Sequence, residues 1–392
     1  MVSRQYDRAL AKPSSSFFLL GMRGTGKSSW VKRNFPKACL VNLLDEGLYQ
    51  ELLVNPSLLR KMIARLRRGS WVVIDEVQRI PPLLNEVHRA IEDLGLKFAL
   101  LGSSARKLRR TGVNLLGGRA LVKYMYPFIP VEMGDEYEIS RTLQYGSLPL
   151  IVASRNPAEQ LRGYVQSYLR EEIQVEALVR NLPGFARFLQ VAALFHGQVM
   201  NVDGVARDAG VARTTVQGYL EIIEDTLLAF RLPAFEGRLR VKEKRHPKLY
   251  WIDPGVVRAA KNQLAVPAAE ERGHLLEGLI VQTVRAARDY GLIRFDDLYY
   301  WSTGEVEVDL LLSRGDSYTA IEIKSTGRLR PEHLRGLNAI KDLRGVKRRI
   351  LVYEGERQFV EDGGIEVIPV KEFLRMLSRG LRYSDEKIGE AP

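Results

Sequence analysis

One stretch near the start of the chain has residue types and spacing that can hold a triphosphate. Gly21-Met-Arg-Gly-Thr-Gly-Lys27-Ser28 fits the pattern G-x-x-x-x-G-K-[ST] without a mismatch. Its glycines let the backbone curl so that successive N–H groups point at phosphate oxygens. Lys27 would reach the β- and γ-phosphates, and the Ser28 hydroxyl would ligate Mg²⁺. We therefore predict ATP and Mg²⁺ as ligands of Gly21, Gly24, Thr25, Gly26, Lys27, Ser28 and Ser29.

A pair of acids provides the second half of this predicted site. Trp71-Val-Val-Ile-Asp75-Glu76 reads as a buried strand whose carboxyl end carries two carboxylates. Ligands of open α/β sheets bind at that end. Asp75 would hold Mg²⁺, directly or through water, and Glu76 would orient and deprotonate the attacking water. The strand Phe98–Leu101 ends in Gly102-Ser103-Ser104, a polar tip suited to sensing the γ-phosphate, or an ordinary polar loop.

A second group of acids lies in the last third of the chain. Asp309 is on the predicted strand Val306–Leu312, and Glu322 and Lys324 share one face of the next strand, because side chains alternate along a strand. Upstream, Glu277 lies on an apolar helix face, where a carboxylate is costly to bury without a partner. A metal or a lysine would be such a partner.

The order of helix acid, strand acid and E-x-K resembles the core of PD-(D/E)xK nucleases, with Glu277, Asp309, Glu322 and Lys324 at its motif positions. The resemblance implies a Mg²⁺ site held by the three acids, with Lys324 activating water. A structural ion-pair cluster, or a nuclease fold that binds DNA without cutting, remains the alternative.

The middle of the chain contains a predicted helix-turn-helix. Val202–Ala209 and Ala212–Leu220 read as helices joined at Gly210, and a hairpin follows from Leu227–Leu232 and Leu249–Ile252. Such a module contacts DNA backbone and bases through outward polar side chains and a basic wing, although winged helices also bind proteins. The predicted DNA contacts are Arg213, Thr214, Thr215, Gln217, Arg238, Arg240, Lys242, Lys244 and Arg245, with Lys248 in the same basic stretch.

The composition predicts a soluble, globular and basic protein. The 392 residues carry a net charge of +12, which favours a polyanionic partner such as nucleic acid, although a basic protein without one is the alternative. The single cysteine, Cys39, excludes an intrachain disulfide, so the cytoplasm is the expected compartment. No apolar run is long enough for a membrane span, and Met1–Ser16 lacks the apolar core of a signal peptide.

Short apolar runs separated by amphipathic stretches predict a parallel sheet covered by helices in the first third, which would position the first site. The predicted fold class is α/β. The predicted regions are an ATPase core (1–131), a helical lid (132–182), a winged helix (183–264), a nuclease-like α/β domain (265–380) and a tail (381–392).

Several motifs together carry a family resemblance that covers most of the chain. They are Asp75-Glu-Val-Gln-Arg-Ile-Pro-Pro, Gly102-Ser-Ser-Ala, Gly118-Arg119, Tyr126-Pro-Phe and Leu249-Tyr-Trp-Ile-Asp253-Pro-Gly. The chain resembles prokaryotic AAA+-type ATPases with a C-terminal domain of unknown function, the AAA_14/DUF4143 architecture. The resemblance implies a P-loop AAA+ core, a winged helix and a nuclease-like C-terminal domain.

In AAA+ proteins an arginine at the place of Arg119 usually reaches the nucleotide of a neighbouring subunit. The resemblance therefore implies a homo-oligomer, with a hexameric ring as one arrangement; a plain surface arginine is the alternative. The leading interpretation is a DNA-stimulated ATPase that remodels or moves along duplex or branched DNA, with a C-terminal domain that binds the substrate or cuts it with Mg²⁺. Two others stay open: a nucleotide-gated switch with a non-cleaving C-terminal domain, and a defence-type nuclease licensed by ATP.

Overall fold

The computed structural model describes residues 6–104, 116–168, 173, 181–236 and 246–380. The chain divides into two compact units, and the first consists of Met1–Phe128, Leu148–Ala153 and Leu220–Leu228. The remaining residues form the second unit. Among the described residues, no helix has both the length and the apolar character that a membrane span requires.

The first unit is built on a five-stranded parallel sheet, which confirms the predicted mixed α/β class with a parallel sheet. The strand order is β2-β3-β4-β1-β5. The strands are Phe17–Leu20 (β1), Cys39–Asn42 (β2), Trp71–Asp75 (β3), Lys97–Gly102 (β4) and Leu121–Tyr124 (β5), and the helices are Lys27–Asn34 (α1), Glu46–Val54 (α2), Leu58–Ile63 (α3) and Leu83–Leu94 (α4).

The three central strands of this sheet, β1, β3 and β4, are apolar on both faces and almost entirely buried. All four residues of β1 are buried, and Val72, Ile74, Phe98 and Leu100 of β3 and β4 belong to one core with Val87 of α4. A continuous apolar run is what a parallel strand covered on both faces requires. The order also inserts β4 between β1 and β3, so the residues that follow these three strands meet at one edge.

The second unit contains most of the remaining helices and a small three-stranded sheet of order β6-β8-β7. The helices that follow α4 are Pro130–Met133 (α5), Ile139–Tyr145 (α6), Pro149–Val152 (α7, in the first unit), Pro157–Ser167 (α8), Leu182–Leu194 (α9), Val202–Ala209 (α10), Arg213–Asp225 (α11), Pro254–Ala260 (α12) and Ala269–Asp289 (α13). The strands are Gln198–Val199 (β6), Ala229–Leu232 (β7) and Lys248–Trp251 (β8).

Helices α10 and α11 lie where the helix-turn-helix was predicted. Asn201 caps α10 by accepting hydrogen bonds from the backbone N–H groups of Asp203 and Gly204 at 3.0 and 3.2 Å. Gly210 ends the helix with φ 64°, a left-handed conformation that glycine adopts without strain. Strands β7 and β8 pair antiparallel, with Leu232 opposite Lys248, in the stretch predicted as a hairpin.

A six-stranded mixed sheet of order β13-β14-β12-β11-β10-β9 forms the C-terminal part of the second unit. Its strands are Leu298–Ser302 (β9), Glu307–Arg314 (β10), Ser317–Lys324 (β11), Val346–Tyr353 (β12), Phe359–Glu361 (β13) and Ile365–Pro369 (β14), and its helices are Arg335–Ala339 (α14) and Val370–Arg379 (α15). Val308, Leu311, Ala320 and Leu351 form the centre of its core. β10 and β11 are antiparallel neighbours. Asp309 and Glu322 therefore lie on adjacent strands, as predicted.

The motif around Asp253 has a structural role in the second unit. Asp253 is fully buried and caps α12 by accepting from the backbone N–H of Val256 at 3.0 Å. Its other carboxylate oxygen accepts from the backbone N–H of Ser147 at 2.8 Å. Pro254 then begins the helix, where its missing N–H costs nothing. This part of the family resemblance therefore reflects how α12 begins.

Candidate functional site

The predicted phosphate-binding loop connects β1 to α1 at the carboxyl edge of the parallel sheet. Gly24 and Gly26 have φ 82° and 88°, and a Cβ on Gly21 would lie 2.4 Å from the carbonyl oxygen of Met125. The loop path therefore requires glycine at these positions. Lys27 and Thr25 are buried, whereas Ser29 is exposed on the first turn of α1.

Lys27 and Ser28 both make side-chain hydrogen bonds within the site. Lys27 Nζ donates to the carbonyl oxygens of Gly21 and Met22 at 2.6 and 3.3 Å. Ser28 Oγ donates to Asp75 Oδ2 at 2.6 Å, and this contact joins the loop to the end of β3. The structure thus brings together the loop and the first of the two predicted acids.

The Asp75 carboxylate is suited to a cation. Burial raises its pKa above the ordinary value, although the hydrogen bond from Ser28 acts in the opposite direction. Its Oδ1 atom is buried without a hydrogen-bond partner. A hydroxyl next to a buried carboxylate with an unsatisfied oxygen fits Mg²⁺, which prefers hard oxygen ligands and would compensate the buried charge.

Glu76 lies beside Asp75 and is held by two polar side chains. Its backbone has φ 58° and ψ 45°, the left-handed region that residues other than glycine seldom occupy. Ser103 Oγ, at the end of β4, donates to Glu76 Oε2 at 3.1 Å, so the predicted serine contacts the predicted base. Ser104 is fully buried next to it.

Sequence reasoning missed Gln78, which completes this arrangement. Gln78 is buried, and its Nε2 donates to both Glu76 Oε2 and Ser103 Oγ, the latter at 3.0 Å. A Cβ on Gly102 would lie 2.7 Å from Gln78 Oε1, so the glycine that ends β4 makes room for this amide. The sequence contained one signal for this role: Gln78 is a polar residue two positions after Glu76, and Gly102 ends a nearby strand.

Arg119 lies at the other edge of the sheet. It precedes Leu121, which pairs with Phe17 at the start of β1, whereas the phosphate-binding loop follows the end of that strand. Four strand residues span about 13 Å at roughly 3.3 Å each. Arg119 also forms an ion pair with Glu92. It is therefore remote from the loop of its own chain, and the proposed finger role requires a second copy.

The structure also brings together the acids predicted in the last third of the chain. Leu310 pairs with Ile321 across β10 and β11, so Asp309 and Glu322 are neighbours. Asp309 Oδ2 accepts from the backbone N–H of Ile323 at 2.8 Å, and Lys324 Nζ donates to Glu322 Oε1 at 2.5 Å. All three predicted acids, including Glu277, are buried.

Lys248 lies inside this acid cluster. Its predicted position in the basic stretch of an exposed wing was therefore wrong. Its side chain is 5% exposed, and Nζ lies 3.0 Å from Glu277 Oε1 and 3.7 Å from Asp309 Oδ1, in contact with Glu307 as well. Tyr250, two residues along β8, donates its hydroxyl to Glu277 Oε1. The partner required by the buried Glu277 is thus a lysine, one of the two predicted kinds.

Charge crowding perturbs the titration of the cluster. Burial and the charge of Asp309 raise the pKa of Glu277 to about 7 and that of Glu322 to about 8. Burial alone would lower the pKa of Lys248, but Glu277, Asp309 and Glu307 together raise it. Among the described residues, no group of three or more His, Cys, Asp or Glu side chains is arranged to hold a metal ion.

The raised pKa of Glu322 makes stability depend on pH. Between its ordinary pKa of 4.5 and about 8 the folded chain binds a proton that the unfolded chain releases, so stability falls as pH rises through this window. We expect Glu322→Gln to raise the free energy of unfolding at pH 8 by on the order of 2–4 kcal/mol and to change it little at pH 4.

Thermal and urea unfolding from pH 4 to pH 9 would measure this effect. The matched control is Glu332→Gln, which changes an exposed glutamate. If Glu322→Gln raised the free energy of unfolding equally at pH 4 and pH 9, the gain would not come from the ionisation of a buried Glu322.

The predicted DNA contacts are only partly described. Arg213, Thr214 and Gln217 are exposed on α11, and Thr215 is half-buried. Arg213 lies 3.5 Å from Asp203 of α10 in an exposed ion pair. The predicted wing residues Arg238, Arg240, Lys242, Lys244 and Arg245 lie outside the described residues.

Comparison with protein families agrees with the predicted architecture. Residues 14–134 match the AAA domain, residues 136–266 match a domain of unknown function (DUF8612) and residues 272–373 match another domain of unknown function (DUF4143). An AAA-type ATPase domain followed by a DUF4143 domain is thus confirmed. The uncharacterized proteins Rv2008c of Mycobacterium tuberculosis and Mb2031c of Mycobacterium bovis are each 26% identical over 323 residues, 80% of this chain and 71% of theirs.

Solved structures show weaker likenesses. The Aeropyrum pernix ORC1 protein in complex with DNA is 14% identical with a TM-score of 0.31, covering 65% of this chain and 87% of that one. A STAND-class signal transduction ATPase from Pyrococcus horikoshii is 12% identical with a TM-score of 0.26, covering 74% and 49%. TM-scores this low do not establish a common fold.

Proposed function

We propose that this chain binds ATP with Mg²⁺, hydrolyses it at the edge of the parallel sheet, and does so faster on duplex or branched DNA. One observation carries the hydrolysis: Lys27 and Ser28 of the glycine loop, the Asp75–Glu76 pair and Ser103 converge from three adjacent strands. A loop for phosphates, a hydroxyl and carboxylate for Mg²⁺ and a second carboxylate for water are the parts that phosphoryl transfer to water requires.

Each side chain has a distinct task in this mechanism. Lys27 would contact phosphate oxygens, and Ser28 and Asp75 would hold Mg²⁺, which would neutralise charge developing on the phosphates. Glu76 accepts a proton from the attacking water. Ser103 and Gln78 hold the Glu76 carboxylate by hydrogen bonds, so they orient the base. Arg119 from a second copy would complete the site by stabilising the transferred phosphoryl group.

The DNA part of the proposal depends on charge and on the helix pair. The net charge of +12 favours a polyanion, and exposed Arg213, Thr214 and Gln217 on α11 are groups that contact phosphates or base edges. The basic residues that follow β7 in sequence would add phosphate contacts.

Steady-state ATP hydrolysis with and without linear and four-way-junction DNA tests the proposal. We expect DNA to raise the rate, salt to weaken the effect, and Arg213→Ala to raise the DNA concentration needed for half-maximal stimulation. Arg60→Ala is the matched control, because Arg60 is also an exposed arginine with one aspartate partner, Asp93 at 2.7 Å. A rate indifferent to both DNAs would refute the DNA part and leave hydrolysis standing.

A nucleotide-gated switch is the second candidate, and the bonds to Glu76 favour it. Ser103 and Gln78 both donate to Glu76 Oε2, so a shift of either side chain would reorient the carboxylate and change how it faces the nucleotide. Slow turnover with tight nucleotide retention, unchanged by DNA, would favour the switch. A Gln78→Ala variant that hydrolyses ATP faster than the unaltered chain would show that the amide restrains the base.

A further inference from the structure

The acid cluster of the C-terminal part contains more acidic than basic side chains. Glu277, Glu307, Asp309 and Glu322 face two ammonium groups, those of Lys248 and Lys324. Lys248 is 4% exposed and lies over the ring of Tyr300, 5.5 Å from its centroid. A buried lysine is costly unless carboxylates surround it, so its position among three acids is a specific part of the fold.

Several of the oxygens that a metal would need already contact an N–H donor. Lys248 Nζ donates to Glu277 Oε1 and lies near Asp309 Oδ1. The backbone N–H of Ile323 donates to Asp309 Oδ2. Glu322 Oε1 accepts from Lys324, which leaves Glu322 Oε2 buried without a partner. Mg²⁺ demands near-octahedral oxygen ligands at roughly 2.0–2.1 Å. The Lys248 ammonium instead lies among these oxygens, 3.0 Å from Glu277 Oε1 and 3.7 Å from Asp309 Oδ1. The residues as arranged therefore do not fit the metal that the nuclease resemblance implies.

We propose that the Lys248 ammonium is the resident cation of this cluster and takes the position where nucleases of this pattern hold their metal. The C-terminal domain is then a metal-independent module that does not cut DNA. Lys248 comes from β8, outside the helix and strands that supply the acids, so its strand is fixed to the six-stranded sheet and α13 through these ion pairs. The inference stands independently of ATP hydrolysis.

Mn²⁺ titration followed by electron paramagnetic resonance tests the proposal on the full chain. Asp75→Asn is present throughout, because it removes the predicted metal ligand of the ATP site. We expect no tight Mn²⁺ in this background and about one Mn²⁺ per chain after Lys248→Met, which frees Glu277 and Asp309. Lys248→Arg keeps the positive charge and should gain none. Adding Glu322→Gln to Lys248→Met should weaken the gained site by roughly tenfold or more.

The control is Lys261→Met, since Lys261 is half-buried and also paired with an acid, Glu271 at 2.8 Å, but lies outside the cluster. Circular dichroism verifies that each variant is folded. A folded Lys248→Met variant that gains no Mn²⁺ would overturn the proposal. A second result would also overturn the proposal, and it does not require Lys248→Met to fold. This result is Mn²⁺ binding, or Mg²⁺-dependent DNA cleavage, that occurs with Lys248 intact and is lost on Glu322→Gln.

Discussion

Replacing Glu76 by glutamine is expected to lower kcat for ATP hydrolysis by roughly 10²–10⁴-fold, the usual contribution of a positioned general base. Glutamine keeps the size of the side chain and a carbonyl oxygen that accepts from Ser103 and Gln78, so the local packing should persist. What is lost is the ability to take a proton from water. ATP affinity should stay close to that of the unaltered chain, because Lys27, Ser28 and Asp75 are intact.

Single-turnover hydrolysis and equilibrium binding of a fluorescent ATP analogue separate these two effects. Glu51→Gln is the matched control, since Glu51 is an exposed glutamate of α2 in the same unit. If Glu76→Gln hydrolysed ATP at an unchanged rate, Glu76 would not be the base. A parallel loss of nucleotide affinity would instead assign Glu76 to binding.

The sequence was sufficient to bring together the parts of the proposed ATP site because each part is local. The glycine loop, the acid pair and Ser103 each follow directly on an apolar run, and in a parallel sheet the ends of such runs meet at one edge. Gln78 could not be found this way. Its role depends on the register of β4 beside β3 and on the space left by Gly102, which only the folded sheet reveals.

The acid cluster shows a different limit of sequence reasoning. Alternation along a strand placed Glu322 and Lys324 on one face, and the resemblance to the nuclease core implied that Glu277 and Asp309 join them. The cost of burying Glu277 called for a partner, a metal or a lysine. Which cation could not be deduced, because Lys248 lies 29 residues before Glu277 at the end of a basic stretch. Its neighbours in sequence suggest solvent and phosphate, whereas pairing of β8 with β6 and β7 directs its side chain into the cluster.

Replacing Lys27 by methionine is expected to weaken ATP binding by roughly 100-fold, since charge-assisted hydrogen bonds to phosphate contribute about 1.5–3 kcal/mol. Methionine preserves much of the buried aliphatic length. Thermal unfolding at ATP and Mg²⁺ concentrations about 100 times the dissociation constant of the unaltered chain gives the readout. Binding at that ratio stabilises by about 2.7 kcal/mol, a rise in Tm of roughly 5–10 °C, which Lys27→Met should lose.

The same variant distinguishes a phosphate-binding lysine from a merely structural one. Lys27 Nζ bonds the carbonyl oxygens of Gly21 and Met22, so methionine also removes two contacts that hold the loop without nucleotide. A structural lysine would lower Tm equally with and without ATP, whereas a phosphate ligand makes the difference grow with ATP. Lys32→Met, on the same helix outside the motif, is the control. An ATP-dependent rise in Tm that survives in Lys27→Met would contradict the assigned role of Lys27, because the pattern assigns the contact with the β- and γ-phosphates to this ammonium.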